Sequence, residues 1–398
     1  MALGWQTKAI AELANHSLGK MLDKAKNRGE PLPYLRNLNV RWFDFDLSDL
    51  QEMLFQPGEE DRYSVQKGDL VICEGGYPGR AAIWGCDVPI HFQKALHRVR
   101  FHEPAHAKWC LYYLLSEDLT GRLRSNFNGT GIQHFTGEAL ARFRVPMPTL
   151  EEIRRIVAIL DEAFEGIATA KANAEKNLLN AREWATRQLT TVLAAESEPG
   201  NPRTLESLVE AGCNLSYGIV QPGDEVPGGL PIVRPVDMRS KFICVDGLKK
   251  IDPALAKSYA RTTLVGGDLL LCVRGTTGTV AVAEQRLAGA NVTRGIVPIR
   301  FDPKLISQSM GYYLLRSDPV QAQIRAKTYG TALMQINIGD LRQLSLSFPP
   351  IGRQASVVEQ LDAIQDAAVQ LAAVYVRKLT ALAELKKSLL HQAFSGQL

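Results

Sequence analysis

The chain has 398 residues, 45% of them hydrophobic and 22% charged, with a net charge of +4 and a pI near 8.6. That length holds two or three domains of ordinary globular composition. The charge balance permits a nucleic-acid partner but falls short of the strongly basic one that would argue for it alone, and no apolar run approaches the ~20 residues of a membrane span. The N-terminal MALGWQTKAIAEL lacks the layout of a secretion signal. The six cysteines include no C-x-x-C pair. The expectation is a cytoplasmic protein with reduced thiols.

In chain order, residues 1–148 read as a mixed region. LPYLRNLNVR (32–41) and KGDLVICEGGYPG (67–79) are strand-like runs followed by turns, and CLYYLL (110–115) is helical. Between them lies His102-Glu103-Pro104-Ala105-His106, a literal H-E-x-x-H. Zinc binding by that motif needs both histidines one turn apart on one helix face. Proline belongs in a first helical turn and breaks an interior, so the helix is expected to start at Pro104 and leave His102 outside. Pro148 closes the region. From Leu150 to Ala195 there is no proline and a single glycine, Gly166, predicting a long helix over 149–196.

The same order then returns. LPIVRPVDMR (230–239), GGDLLLCVRGTTG (266–278), IRF…YYLL (299–315) and GTALMQINIGDLRQLSLSFP (330–349) repeat earlier segments at offsets of 198, 199, 200 and 201. Offsets that grow by single residues mark two diverged copies of one ~200-residue unit. The second copy places Asp302-Pro303-Lys304-Leu305-Ile306 opposite HEPAH, predicting Asp302 as N-cap and Pro303 at the first helical position. A second long helix follows Pro349-Pro350.

The second helix carries a 4,3 spacing at Val357, Leu361, Ile364, Ala368, Leu371, Tyr375, Lys378, Leu382, Leu385 and Leu389. Subtracting 201 gives Ile156, Leu160, Ala163, Ile167, Ala170, Ala174, Asn177, Ala181, Trp184 and Gln188 in the first. A heptad sustained this long predicts a coiled-coil seam. The expected fold is an α/β (α+β) tandem repeat with pseudo-twofold symmetry. Two globular domains, 1–148 and 203–349, alternate with helical spacers, 149–196 and 350–398, which form an antiparallel coiled coil.

These residues resemble the specificity subunits of type I restriction-modification systems over essentially the whole chain. The segments carrying the resemblance are K-G-D-L-V-I-C and G-G-D-L-L-L-C, the G-T…L…P-x-P-x-x-E-E and G-T…L…F-P-P-x-x-x-Q junctions, and the terminal ELKKSLLHQAFSGQL. In the first copy Ile153 stands where such junctions carry Gln, as Gln354 does in the second. The resemblance implies a subunit without catalysis of its own, and therefore without a cofactor. Two modification subunits would supply S-adenosylmethionine and adenine methylation, and restriction subunits can also be recruited. Each globular domain, a target-recognition domain, would read one half of an asymmetric, gapped site in double-stranded DNA, with the spacers setting the gap.

The residues agree about the missing chemistry. No [ND]-P-P-[YF] occurs, SFPPI (347–351) lacking the Asn or Asp, and Gly19-Lys20-Met21 is not a phosphate loop. Base reading calls for Arg, Asn, Gln, Thr or apolar side chains on loops. Three loop regions per copy qualify. Arg36 and Arg41 match Arg234 and Arg239. Tyr77 and Arg80 match Arg274, Thr276 and Thr277. Arg124, Asn126, Gln133 and His134 match Arg325, Lys327, Met334 and Gln335. Shared arginines suit phosphates, and residues that differ between copies (Gln133/Met334, His134/Gln335, Gly75/Arg274) suit bases. Two rivals stand beside this reading: a coiled-coil protein–protein scaffold without DNA contact, and a zinc hydrolase using His102, Glu103 and His106.

Overall fold

The Leu-Val-Ile-Cys run of the first copy becomes the strand Leu70–Cys73, buried at every residue. A short continuous apolar run of this kind is what a strand covered on both faces requires. The computed structural model describes residues 4–23, 25–129, 131–197, 202–330 and 334–398. Thr130 and Thr331 of the G-T junctions lie outside the described residues. Leu70–Cys73 pairs antiparallel with Ala81–Ile83 and Leu96–Phe101, and Ala14–Leu18 extends the sheet. A second sheet runs in the order Gln51–Phe55, Glu30–Leu35, Ile90–Phe92, Ser64–Val65. It includes a parallel pairing of Tyr34 with His91.

The helix Ala105–Leu119 packs Trp109, Cys110, Leu111 and Leu114 onto the first sheet. The same core takes Ile153, Ile156 and Leu160 from the long helix Leu150–Glu196, and Leu390 and Ala393 from the long helix Ile351–Ser395. One unit is therefore Met1–Ala174 together with Arg377–Leu398, and the other is Glu175–Val376. Helix ends from both copies complete each core.

The second unit repeats the plan, with fewer strands among the described residues. Asp268–Cys272, fully buried, lies between Val280–Ala283 and Ile296–Ile299. Leu230–Val233 sits between Lys249–Ile251 and Asn291–Val292. Leu189, Leu193, Val357 and Leu361 join its core with the helix Gln308–Arg316.

Buried polar contacts repeat as well. Asp69 accepts from Arg100 Nε and Nη2, both at 2.7 Å, and Asp268 accepts from Arg300 Nη1 at 2.7 Å. The Tyr112 hydroxyl donates to Asp161 at 2.6 Å, and Tyr313 donates to Asp362. This last pairing corrects the register read from YYLL. By shared contact Tyr112 corresponds to Tyr313, an offset of 201, not to Tyr312. Letter identity favoured 200 because all of YYLL matches at that offset, while at 201 only Tyr112 and Leu114 meet their like.

Within each unit the long helices run antiparallel. In the first, Arg155 donates to the Leu398 carbonyl at 2.7 Å, while Lys386 lies 4.6 Å from the centre of the Phe164 ring. In the second, Arg353 pairs with Glu196 at 3.0 Å. The buried face departs from the expected heptad. Leu371, Lys378 and Leu385 are exposed, and Ala372, Leu379 and Lys386 are more covered; Trp184 is likewise exposed while Leu189 and Leu193 are buried. From Val357 to Ala393 the covered positions take ten steps over 36 residues, a mean of 3.6. That is the period of an ordinary α-helix, not 3.5, so a fixed heptad drifts off the seam after Ala368.

The HEPAH segment turns a corner. His102 lies outside the helix, its backbone N–H donating to Leu13, and Pro104 is the N-cap of Ala105–Leu119. In the second copy the expectation is corrected. Asp302 caps a turn, accepting from the backbone of Lys304 at 2.9 Å, but the helix begins at Gln308 behind Ser307. Ser307 Oγ accepts from Met310 N and is the stronger stop.

Candidate nucleic-acid interface

Each central strand ends in a tight loop of the same construction. Cys73 N donates to Arg80 O at 2.8 Å and Gly79 N to Cys73 O at 2.9 Å; Cys272 N donates to Thr279 O and Gly278 N to Cys272 O, both at 2.8 Å. Gly79 and Gly278 sit at φ of 84° and 93°, which side chains disfavour. A Cβ on Gly79 would lie 2.4 Å from Leu123 Cδ2. Glycine is required there by close packing, so these positions hold the loop.

A hairpin closes over each loop. Asn128 and His134 exchange backbone bonds at 2.9 Å, as do Tyr329 and Gln335. Phe135 N donates to Glu74 O at 2.7 Å, and Ile336 N donates to Val273 O at 3.1 Å, tying hairpin to strand end. In the first unit the His134 ring lies over Gly75. In the second, Gly275 N and Thr277 Oγ1 both donate to Met334 O, at 2.8 and 3.2 Å. The sequence separates these segments by about 60 residues; the sheet brings them together.

Side chains divide by how firmly the protein already holds them. Arg36 donates to Asp49 Oδ2 at 2.8 Å with only 19% of its side chain exposed, and Arg234 forks onto Asp237 at 2.9 and 3.0 Å. Both brace their own loops. Arg41 is exposed, bonded to the Leu38 carbonyl and to Asp46 at 3.1 Å, and Arg239 bonds the Val236 carbonyl at 3.0 Å. Tyr77 donates to Asp118 at 3.1 Å beneath the Arg80 guanidinium, which in turn donates to Asn37 O at 2.9 Å. Partial burial and the Asp118 carboxylate both push the Tyr77 phenol upward, so it stays a donor. Burial lifts the neighbouring Cys73 thiol to about 11 and leaves it unreactive.

Arg124 and Arg325 differ from the others. Both are exposed, and among the described residues no hydrogen bond or ion pair holds either guanidinium. Gln133 is exposed on the first hairpin, and Asn126 donates to Leu123 O at 3.3 Å. Thr276 is exposed, bonded to Cys272 Sγ at 3.3 Å, Arg274 is half-buried, and Lys327 lies 3.7 Å from Asp340. The second unit gathers Arg274, Thr276, Thr277, Met334 and Gln335 on two touching loops. The first gathers Tyr77, Arg80 and His134, with Arg124 close enough for its charge to act on Tyr77.

Four exposed or bridging residues escaped the sequence reading. Ile132 is 77% exposed beside Gln133, Tyr329 is 49% exposed beside Gln335, and Tyr217 donates to Ile336 O at 3.3 Å. Asn37 reaches Gly75 O at 3.2 Å. Aromatic and aliphatic residues adjoining the G-T junctions were the available signal for the first two.

The side chains of HEPAH do not share one helix face. His102 is off the helix, the His106 ring packs edge-on to Phe101, and burial lowers its pKa. Glu103 accepts from Ala105 N and faces Arg154 at 3.6 Å. Among the described residues no group of three His, Cys, Asp or Glu could hold a metal ion.

A family model described as "Type I restriction modification DNA specificity domain" matches residues 3–180 and again 213–373. The chain belongs to that family. This specificity chain is 22% identical over 359 residues to the type I restriction enzyme EcoBI specificity subunit of Escherichia coli, covering 84% of this chain and 75% of that one. It is 23% identical over 290 residues, 69% of this chain and 62% of the other, to a putative type I restriction enzyme MjaX specificity subunit of Methanocaldococcus jannaschii. Its fold is shared with a chain from a structure addressing complex assembly and conformational transition of the type I R-M system. The TM-score is 0.76 at 19% identity, covering 100% and 99% of the two chains. It is shared also with the HsdS subunit from Thermoanaerobacter tengcongensis, with a TM-score of 0.56 at 20% identity, covering 100% and 98%. Among the described residues no helix is long and apolar enough to cross a membrane.

Proposed function

We propose that the chain is the sequence-reading subunit of a cytoplasmic type I restriction-modification complex. Each globular domain reads one half of a bipartite, asymmetric site in double-stranded DNA. The spacer helices set the gap and dock two methyltransferase subunits, which bring S-adenosylmethionine; restriction subunits can join them. The chain itself performs no catalysis. One observation carries the reading. Two loop-and-hairpin assemblies share the same backbone bonds yet present different side chains: His134 and Gln133 in one, Gln335 and Met334 in the other. A fixed frame with exchanged side chains is how one scaffold addresses two base sequences.

Arg124 and Arg325, shared between the copies, exposed and unpaired among the described residues, suit phosphates. The hairpins with Gln133, His134, Arg274, Thr276, Thr277 and Gln335 suit base edges. Arg36, Arg234, Tyr77 and Arg80 hold the loops in shape. The test exchanges residues 203–349 for the matching domain of another family member and maps methylated adenines in cells carrying the methyltransferase. One half-site should change and the other persist. Change in both halves, or in neither, refutes independent reading. A protein–protein scaffold would leave no sequence-dependent methylation to map.

A further inference from the structure

The foot of each hairpin is a buried residue whose attachments repeat. Phe135 and Ile336 follow His134 and Gln335 and are 0% and 1% exposed. Their N–H groups bond the strand ends at Glu74 and Val273, and their side chains sit in the two cores. Their carbonyls stand just ahead of the N-caps Thr136 and Asn337, outside ladder and helix. A buried carbonyl there needs a donor from elsewhere in the fold. Both units supply one, from different residues. In the first, the fully buried His97 places Nε2 2.8 Å from Phe135 O. A carbonyl only accepts, so in the neutral ring Nε2 carries the proton. Nδ1 is buried and has no partner among the described residues. In the second unit Val297 stands at the position of His97, and the Tyr217 hydroxyl donates to Ile336 O at 3.3 Å.

The two donors come from partner positions in one strand pair. Leu18 is the register partner of His97 where Ala14–Leu18 meets Leu96–Phe101. Tyr217 answers Leu18: Asn15-x-Ser17-x-Gly19 returns as Asn214-x-Ser216-x-Gly218 at an offset of 199. The parallel bridge of Lys20 to Gln93 likewise returns as Ile219 to Thr293. The pair is therefore Leu18 and His97 in one unit, Tyr217 and Val297 in the other. The donor has crossed to its neighbour's position, an apolar residue has taken the place it left, and the carbonyl it serves is the same.

We propose that His97 and Tyr217 are the positioning residues of the two half-site readers, each fixing the residue next to a base-reading side chain. The inference rests on the reading under Proposed function. Recognition by hydrogen bonds needs its side chains held to within about 0.5 Å. A foot residue bonded only through its N–H is free to swing His134 or Gln335 out of that range. The second bond, at the carbonyl, removes the freedom. His97 has no exposed surface to offer DNA, so it acts through the hairpin.

Methylated adenines are mapped in cells carrying each variant with the methyltransferase of its own system. Tyr217→Phe keeps the ring and removes the donor. It should cut the preference for the correct half-site of the second unit over single mismatches several-fold, and leave the other half-site as strict as before. His97→Val should do the same to the half-site of the first unit alone. Leu18→Tyr added to His97→Val reproduces the arrangement of the second unit and should restore that half-site. A merely structural role would lower methylation evenly, with both half-sites as strict as in the intact chain. That result from Tyr217→Phe, or relaxation of both half-sites, overturns the proposal, and it decides the matter even where His97→Val fails to fold. A folded His97→Val chain that Leu18→Tyr does not restore overturns the equivalence of the two donors. An intact chain that directs no sequence-dependent methylation overturns the functional reading instead.

Discussion

Arg300→Met tests how the second unit holds its central strand. Asp268 has no exposed side chain and accepts from Arg300 at 2.7 Å and from the backbone of Val265 and Gly266 at 2.8 and 3.0 Å. Methionine fills the space but leaves a buried carboxylate without its cation, a loss of about 3–5 kcal/mol. The two backbone donors remain, which places the expected loss near the lower end, about 3 kcal/mol. With a urea dependence of about 2 kcal/mol per molar, the unfolding midpoint of this unit falls by roughly 1.5 M. Four of the five tryptophans, Trp5, Trp42, Trp84 and Trp109, lie in the other unit, so fluorescence is the wrong probe. Hydrogen exchange of residues 268–272 along a urea series reads the right strand. Asp268→Asn added to Arg300→Met removes the stranded charge while keeping an acceptor oxygen, and should recover at least about 1 kcal/mol. A midpoint drop under about 0.5 M, or a double variant no better than the single, refutes the reasoning.

All seven histidines of the chain lie in the first unit, and acid should act there first. Burial lowers His97 from 6.5 to about 4, its Nε2 bonded to Phe135 O at 2.8 Å. The unfolded chain binds this proton more readily than the folded one, so stability is full above pH 6.5 and falls by up to about 3 kcal/mol toward pH 4. Thermal melts should show that slope in the native chain and lose it in His97→Gln; an unchanged slope counts against it. Arg124→Ala and Arg325→Ala should each weaken DNA binding by the assembled complex without altering the methylated sequence, and lower the salt slope by about 1. A changed sequence would move them from phosphate to base contact. Gly79→Ala combines a left-handed backbone with a 2.4 Å clash against Leu123 and should cost the first unit more than about 1 kcal/mol in denaturant titrations.

Much of this architecture was legible because the chain repeats itself: one copy interprets the other. The HEPAH corner shows both the gain and the cost: Pro104 does stand at the start of its helix, but the second copy, read as a helix start at Asp302 and Pro303, makes only a turn there and its helix begins at Gln308. What one copy could not teach was phase. A heptad drawn from Val357 runs true to Ala368 and then selects Leu371, Lys378 and Leu385, which face solvent, because the seam follows 3.6 residues per turn. The register of Tyr112 needed its contact with Asp161 to be seen. The candidate interface was half legible. The sheet brings the loops chosen from the sequence together, but composition could not distinguish a bracing arginine from an exposed one. Arg36 and Arg124 look alike in sequence; only the fold supplies Asp49, thirteen residues on, to the first and, among the described residues, no partner to the second.

Because Leu390 and Ala393 are part of the first core, the order of synthesis and the order of completion are reversed. The ribosome makes Met1–Ala174 first, then some 200 residues of the other unit, and only afterwards the strip Arg377–Leu398. At about 5–20 residues per second that wait lasts roughly 10 to 40 s. Throughout it the Trp109 ring lacks Phe394, which packs 4.6 Å from it between centres in the finished unit. The second unit, Glu175–Val376, is continuous in the chain and has no such delay. Nascent first units are therefore the stage at which a chaperone has most to protect. The strip Arg377–Leu398 acts as a latch, and a nonsense codon ahead of it would damage the unit that Met1–Ala174 belongs to.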